Sequence, residues 1–152
     1  MQTVLVLHNI LRWLILIFGI VTVFNAISGI RTKRAYNGKD DKASLFFMIF
    51  MDLQLLIGLI LFFSNGWFDK IKAGMGAVMK SNYDRFFIVE HTLMMILAWM
   101  LVHAGRTVVK RAENENKHKK MLVFFGLALL LILLSIPWPF RTEIARPFFR
   151  GF

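Results

Sequence analysis

Residues 3–30 read TVLVLHNILRWLILIFGIVTVFNAISGI, an almost unbroken apolar run carrying a single positive charge, Arg12. A helix rises about 1.5 Å per residue, so roughly 20 such residues cross about 30 Å of hydrocarbon. This stretch is long enough to do so. It is too long for the apolar region of a secretory signal, no basic segment precedes it, and no small-x-small cleavage pattern follows it. It therefore reads as a retained first helix.

Three further runs repeat the pattern: residues 44–64 (SLFFMIFMDLQLLIGLILFFS), 86–105 (FFIVEHTLMMILAWMLVHAG) and 121–140 (MLVFFGLALLLILLSIPWPF). The last is helical to about residue 137, where Pro137 and then Pro139 stop it. None of the runs alternates as a barrel strand does, and a lone lipid-exposed strand could not satisfy its own backbone. The predicted fold class is all-α: one transmembrane domain over residues 1–152, a four-helix bundle with a short interfacial segment between the second and third helices.

Composition agrees. Of the 152 residues, 57% are hydrophobic and 18% charged, against roughly 45 to 50% and about 25% in soluble domains. The net charge of +10 would suggest nucleic acid in a soluble protein, but here the basic residues fall between apolar runs, so a lipid bilayer is the expected partner and nucleic acid is not. Residues 31–43 and 106–120 together carry 11 Lys and Arg. The middle loop and tail carry seven: Lys70, Lys72, Lys80, Arg85, Arg141, Arg146 and Arg150. The positive-inside rule then puts both termini outside, periplasmic if the membrane is a bacterial inner membrane. In the middle loop, Trp67, Phe68, Ile71 and Met75 alternate with Lys, as in a helix lying in the interface. The aromatic, Arg-bearing tail reads as a headgroup anchor.

Ionisable and strongly polar side chains inside a bilayer are costly unless they face the bundle interior, pair, or bind something, which makes them the informative positions. They are His8, Arg12, Asp52, Gln54, Glu90, His91 and His103, with Asn25 deeper and His118 at the edge of the fourth run. His8 and His91 each lie about five residues, roughly 7 Å, below the same surface, on different helices. His8 and Arg12 share one face at i, i+4. If that face meets Glu90 and His91, a His pair and an Arg–Glu pair occupy one layer. Asp52 and Gln54 point about 200° apart; Gln54 shares its face with Gly58 and is the one expected inside. His103 is too far from His91 to serve the same site. A second pair with His118 is geometrically allowed, although KHKK also reads as a solvated basic flank. Met94, Met95 and Met100 read as packing.

The chain has no Cys, which excludes disulfides, thiolate metal sites, iron–sulfur clusters, thiol nucleophiles and covalent haem attachment. No nucleophile elbow, HExxH, phosphate loop or Rossmann fingerprint appears, and no carboxylate pair is placed for hydrolysis. Two neutral imidazoles on facing helices are the ligation a b-type haem needs, so His8 and His91 are the candidate metal ligands. Arg12, Gln54 and Glu90 are candidate second-layer contacts, Arg12 toward the propionates. Bis-His iron has no open position, so electron transfer is expected, to or from a quinone or a larger membrane complex. Two other readings compete. One is a cofactor-free accessory or structural subunit of a larger complex; the other is a proton relay through Arg12, Gln54, Glu90 and His91.

The strings LHNILRW, DLQLLIGLILFF, RFFIVEHTLMMILAWMLVHAGR and KHKKMLVFFGLALLLILLSIPWPFR resemble a family of small four-helix Bacteroidetes membrane proteins labelled cytochrome b or cytochrome b-like. The likeness covers nearly the whole chain. It implies a bacterial inner-membrane protein holding haem, and the residues that match its motifs are His8, Arg12, Gln54, Glu90, His91, His103 and Arg106. The 12-residue step from His91 to His103 departs from the usual two-haem pattern, in which both ligands of a helix share one face.

Overall fold

A computed structural model describes residues 1–149 of the chain; Arg150, counted above with the tail's basic residues, lies outside them. Among the described residues the fold is all-α. The long helices are α1 (Gln2–Thr32) and α2 (Gly38–Ser64), followed by three short ones, α3 (Trp67–Ala73), α4 (Met75–Lys80) and α5 (Asn82–Asp84). A π-helical turn, Arg85–Glu90, then leads into α6 (His91–Arg111), and α7 (Asn114–Ser135) closes the bundle. Four helical segments are long and apolar enough to cross a membrane, which makes this a multi-pass membrane protein. The helices outrun the apolar stretches at the basic end: α2 starts six residues before residue 44 and α7 seven before residue 121.

Local chemistry explains the early start of α2. Asn37 accepts from the Lys39 amide (2.9 Å), while the Asp40 carboxylate accepts from the Asn37 amide (3.0 Å), a reciprocal cap that satisfies two otherwise orphaned donors. At the far end of α7, Pro137 removes the next amide. Trp138 Nε1 and Arg141 Nη1 then donate to the freed carbonyls of Leu133 (2.9 Å) and Leu134 (3.1 Å).

Around the bundle the order is α1, α2, α6, α7, so that α1 and α6 stand on a diagonal. The seam between α2 and α6 is the least closely packed of the four. Phe47, Val102, Met121 and Phe125 are fully buried and fill the half nearer the basic connections. Between apolar helices in lipid, close packing supplies the association, and small residues permit it. A Cβ added at Gly105 would stand 2.7 Å from Phe124 Cβ, and one at Gly29 would overlap the His118 ring. The opposite half of the bundle is hollow.

Candidate functional site

The hollow is a cavity of about 380 Å³ between α1, α2, α6 and the chain following α7. That size is within the usual range for ligand pockets. His8, Arg12, Gln54, His91, Trp99 and Arg146 contribute to its wall, and most of the remaining surface is apolar.

His8 on α1 and His91 on α6 face each other across the diagonal, with ring centres 6.4 Å apart and planes at 60°. The two helices reach the same level as the depth count from each run's start requires. The π turn immediately before His91 sets the direction of its ring. Widening the helix by one residue pairs positions five apart: Arg85 Nε donates to Glu90 Oε1 at 2.9 Å, and Thr92 Oγ1 to the Phe87 carbonyl at 3.0 Å. His91 Nδ1 lies 2.9 Å from the Ser135 carbonyl on α7, which fixes that nitrogen as the donor and leaves the other side of the ring toward the cavity. The Ser135 hydroxyl is spent on the Leu131 carbonyl.

Glu90 is therefore not part of this layer. Its carboxylate is on the outer flank with Arg85, half exposed, and the expected Arg12–Glu90 pair does not form. Arg12 is instead held by the tail: Nη2 donates to the Phe148 carbonyl at 2.6 Å, and Trp13 Nε1 donates to the same oxygen at 3.0 Å. With its amide oriented so that the oxygen faces Arg12, Asn9 bridges the group, the oxygen accepting from Arg12 Nη2 (3.0 Å) and the nitrogen donating to the Phe148 carbonyl (3.3 Å). Arg12 is 9% exposed, and among the described residues no carboxylate pairs with it. Gln54 points inward, Nε2 donating to the His8 carbonyl at 3.1 Å, and Gly58 leaves room beside the His8 ring.

Three buried polar atoms in this wall have no hydrogen-bond partner among the described residues: His8 Nδ1, Arg12 Nε and Gln54 Oε1. Buried polar groups in folded proteins are nearly always satisfied, so three orphans around one cavity call for something that satisfies them. The tail, expected as a headgroup anchor, is strapped across this end of the bundle. Ile144 packs on Phe86 and Phe87, Arg146 bonds to the Tyr83 hydroxyl, and its guanidinium stands 4.9 Å over the Phe87 ring. Phe149 stacks on Trp13 at 5.3 Å.

The other histidines do not pair with each other. His103 Nε2 donates to Asp52 Oδ1 at 2.7 Å, and His118 is buried against Asp40 at 3.2 Å, beside the Tyr36 ring. The solvated-flank reading of KHKK fails for His118 because α7 begins early enough to bring that residue onto its buried stripe. Asp40 is fully buried and takes Arg34 bidentately, 2.7 Å at each oxygen, which raises the Arg34 guanidinium further above its ordinary value. Arg106 donates to Ser44 (2.7 Å) and to Asp41 (3.0 Å), joining α6 to α2. The sequence reading passed over Asn9, Trp13, Trp99 and the Asp40 cluster. For Asn9 and Trp13 the available signal is adjacency to His8 and Arg12.

No protein-family model, no curated protein and no solved structure matches the chain.

Proposed function

We propose that the chain is a b-type haem protein of the bacterial inner membrane, with His8 and His91 as axial ligands and electron transfer as its task. The cytochrome b-like resemblance belongs to the same proposal. The observation that carries it is the spacing of the two imidazoles inside the cavity, 6.4 Å between ring centres. Two metal–imidazole bonds of about 2.0–2.1 Å, with about 1.1 Å more from each nitrogen to its ring centre, add to a little over 6 Å. Among the described residues no three metal-ligating side chains converge, so these two rings are the ligand set on offer.

The rest of the wall suits the same occupant. The Ser135 carbonyl holds His91 in one tautomer and orientation, the usual office of an outer-layer acceptor behind a metal-bound histidine. Arg12, buried and without a carboxylate partner among the described residues, and Arg146, at the same cavity, would meet the two carboxylates of a haem. The tail and the aromatic residues beneath it flank the mouth with apolar surface. When bound, a haem held by His8 and His91 would supply a one-electron couple.

The test is a pyridine haemochrome assay on the purified protein. The expected result is a Soret band and a b-type haemochrome, both lost in His8→Ala and in His91→Ala and both kept in His103→Ala. A colourless protein after expression with ample haem supply overturns the proposal. Were that protein to co-purify with a stoichiometric partner, the accessory-subunit reading would take its place.

A further inference from the structure

Asp52 and His103 are the ionisable pair that the cavity does not use. Asp52 lies midway along α2 and accepts at Oδ1 from Trp99 Nε1 (2.6 Å) and His103 Nε2 (2.7 Å), both on α6. The pair sits on the loosely packed α2–α6 seam, with side chains 39% and 37% exposed. Asp52 Oδ2 takes no hydrogen bond among the described residues. One turn away on the same helix faces, Ile49 and Leu56 of α2 and Met100 of α6 are exposed and apolar. An ionisable group at this depth normally faces the bundle interior or a water-filled space. Here it forms a polar notch in a flank built for hydrocarbon, a place where an occupant from the lipid phase gains a hydrogen bond that lipid tails cannot supply.

The notch limits the occupant's chemistry. A carboxylate oxygen only accepts, so the occupant must carry a donor, O–H or N–H. It arrives through hydrocarbon, so its body is apolar. The Trp99 and His103 rings, with centres 4.6 Å apart, offer an aromatic edge against which a flat ring packs well. We propose that Asp52, His103 and Trp99 form a docking site for a membrane-dissolved hydroxylated aromatic of the phenol or hydroquinone type, entering between α2 and α6. Trp99 also walls the cavity of His8 and His91, so one indole separates the two sites. Binding at the notch stands without a cofactor in the cavity; only the docked molecule's use as an electron donor rests on the proposed haem.

The experiment is an equilibrium titration of the full chain in lipid nanodiscs with a short-chain hydroquinone and, separately, with its dimethyl ether, which keeps the ring and loses both donors. The expected result is saturable hydroquinone binding at one per chain and at least tenfold weaker binding of the ether. Asp52→Asn weakens hydroquinone binding at least tenfold; should that variant fail to fold, His103→Gln decides, with the same loss expected. Equal binding of hydroquinone and ether overturns the site, as does unchanged binding in both variants. So does cross-linking through Leu56→Cys that shows a second copy covering the seam. A colourless preparation that still binds removes the haem reading and keeps this one; a coloured preparation that does not bind removes this one alone.

Discussion

Glu90 and His91 are neighbours in sequence with opposite fates, and the reason is angular. Adjacent helical residues diverge by about 100°, so only one of the two can point along the bundle diagonal. The π turn decides which: it ties Glu90 to Arg85, five positions back, and releases His91 inward. Nothing in RFFIVEH announces a π turn, so Glu90 was indistinguishable from a site residue in the sequence. The meeting of His8 and His91 was legible, because depth below a common surface is simple counting along two helices. The choice of Gln54 over Asp52 was legible too, since two residues about 200° apart cannot share an interior. At this scale the sharpest prediction concerns Arg12. Replacing it with Leu keeps the ring pair but removes the buried guanidinium that awaits a carboxylate. Haem affinity of the apoprotein is expected to fall by about 10- to 100-fold, with the bis-imidazole spectrum unchanged. A haem titration measures this; unchanged affinity would mean that Arg12 serves only to fasten the tail.

At the scale of the element, α7 shows how a run of charge can hide a core face. His118, Met121, Phe125, Ala128, Ile132 and Ser135 form one buried stripe at alternating steps of three and four. KHKK belongs to it by position, although three of its four residues are cationic. The early start of α2 brings Asp40 opposite that stripe, and the pair locks α2 to α7 where Gly29 of α1 lets the His118 ring pass. Two stability predictions follow from this packing. Asp40→Ala leaves the buried His118 and the Arg34 guanidinium without their acceptor. Breaking a buried pair costs about 3 to 5 kcal/mol, and with Arg34 about a third exposed the expected loss is nearer 2 to 4 kcal/mol. Gly29→Ala forces a methyl into the His118 ring and is expected to cost about 1 to 3 kcal/mol, whereas Gly38→Ala, with open space around it, should be neutral. Thermal unfolding in detergent compares the three; a Gly29→Ala protein as stable as Gly38→Ala would show that α1 and α7 do not approach so closely.

The whole molecule is asymmetric along its long axis, and the charge distribution and the packing share that axis. At the end bearing the two basic connections, aromatic and aliphatic side chains close the core, and polar contacts of Asp40 and Asp41 with His118 and Arg106 join three helices. At the other end the core opens into the cavity, covered by the short helices and the strap. The orientation of the chain therefore decides which compartment the cavity mouth faces. With 11 basic residues against seven, the positive-inside rule predicts that the solid end lies in the cytoplasm and the mouth outside. The absence of Cys makes this directly measurable, because any introduced thiol is unique. Lys72→Cys in α3, Lys39→Cys in α2 and Glu115→Cys in α7 all replace exposed residues. In intact spheroplasts a membrane-impermeant maleimide is expected to label the thiol at position 72 at once, and those at positions 39 and 115 only after lysis. The reverse pattern would turn the mouth toward the cytoplasm, and a haem held there would then exchange electrons with cytoplasmic rather than periplasmic partners.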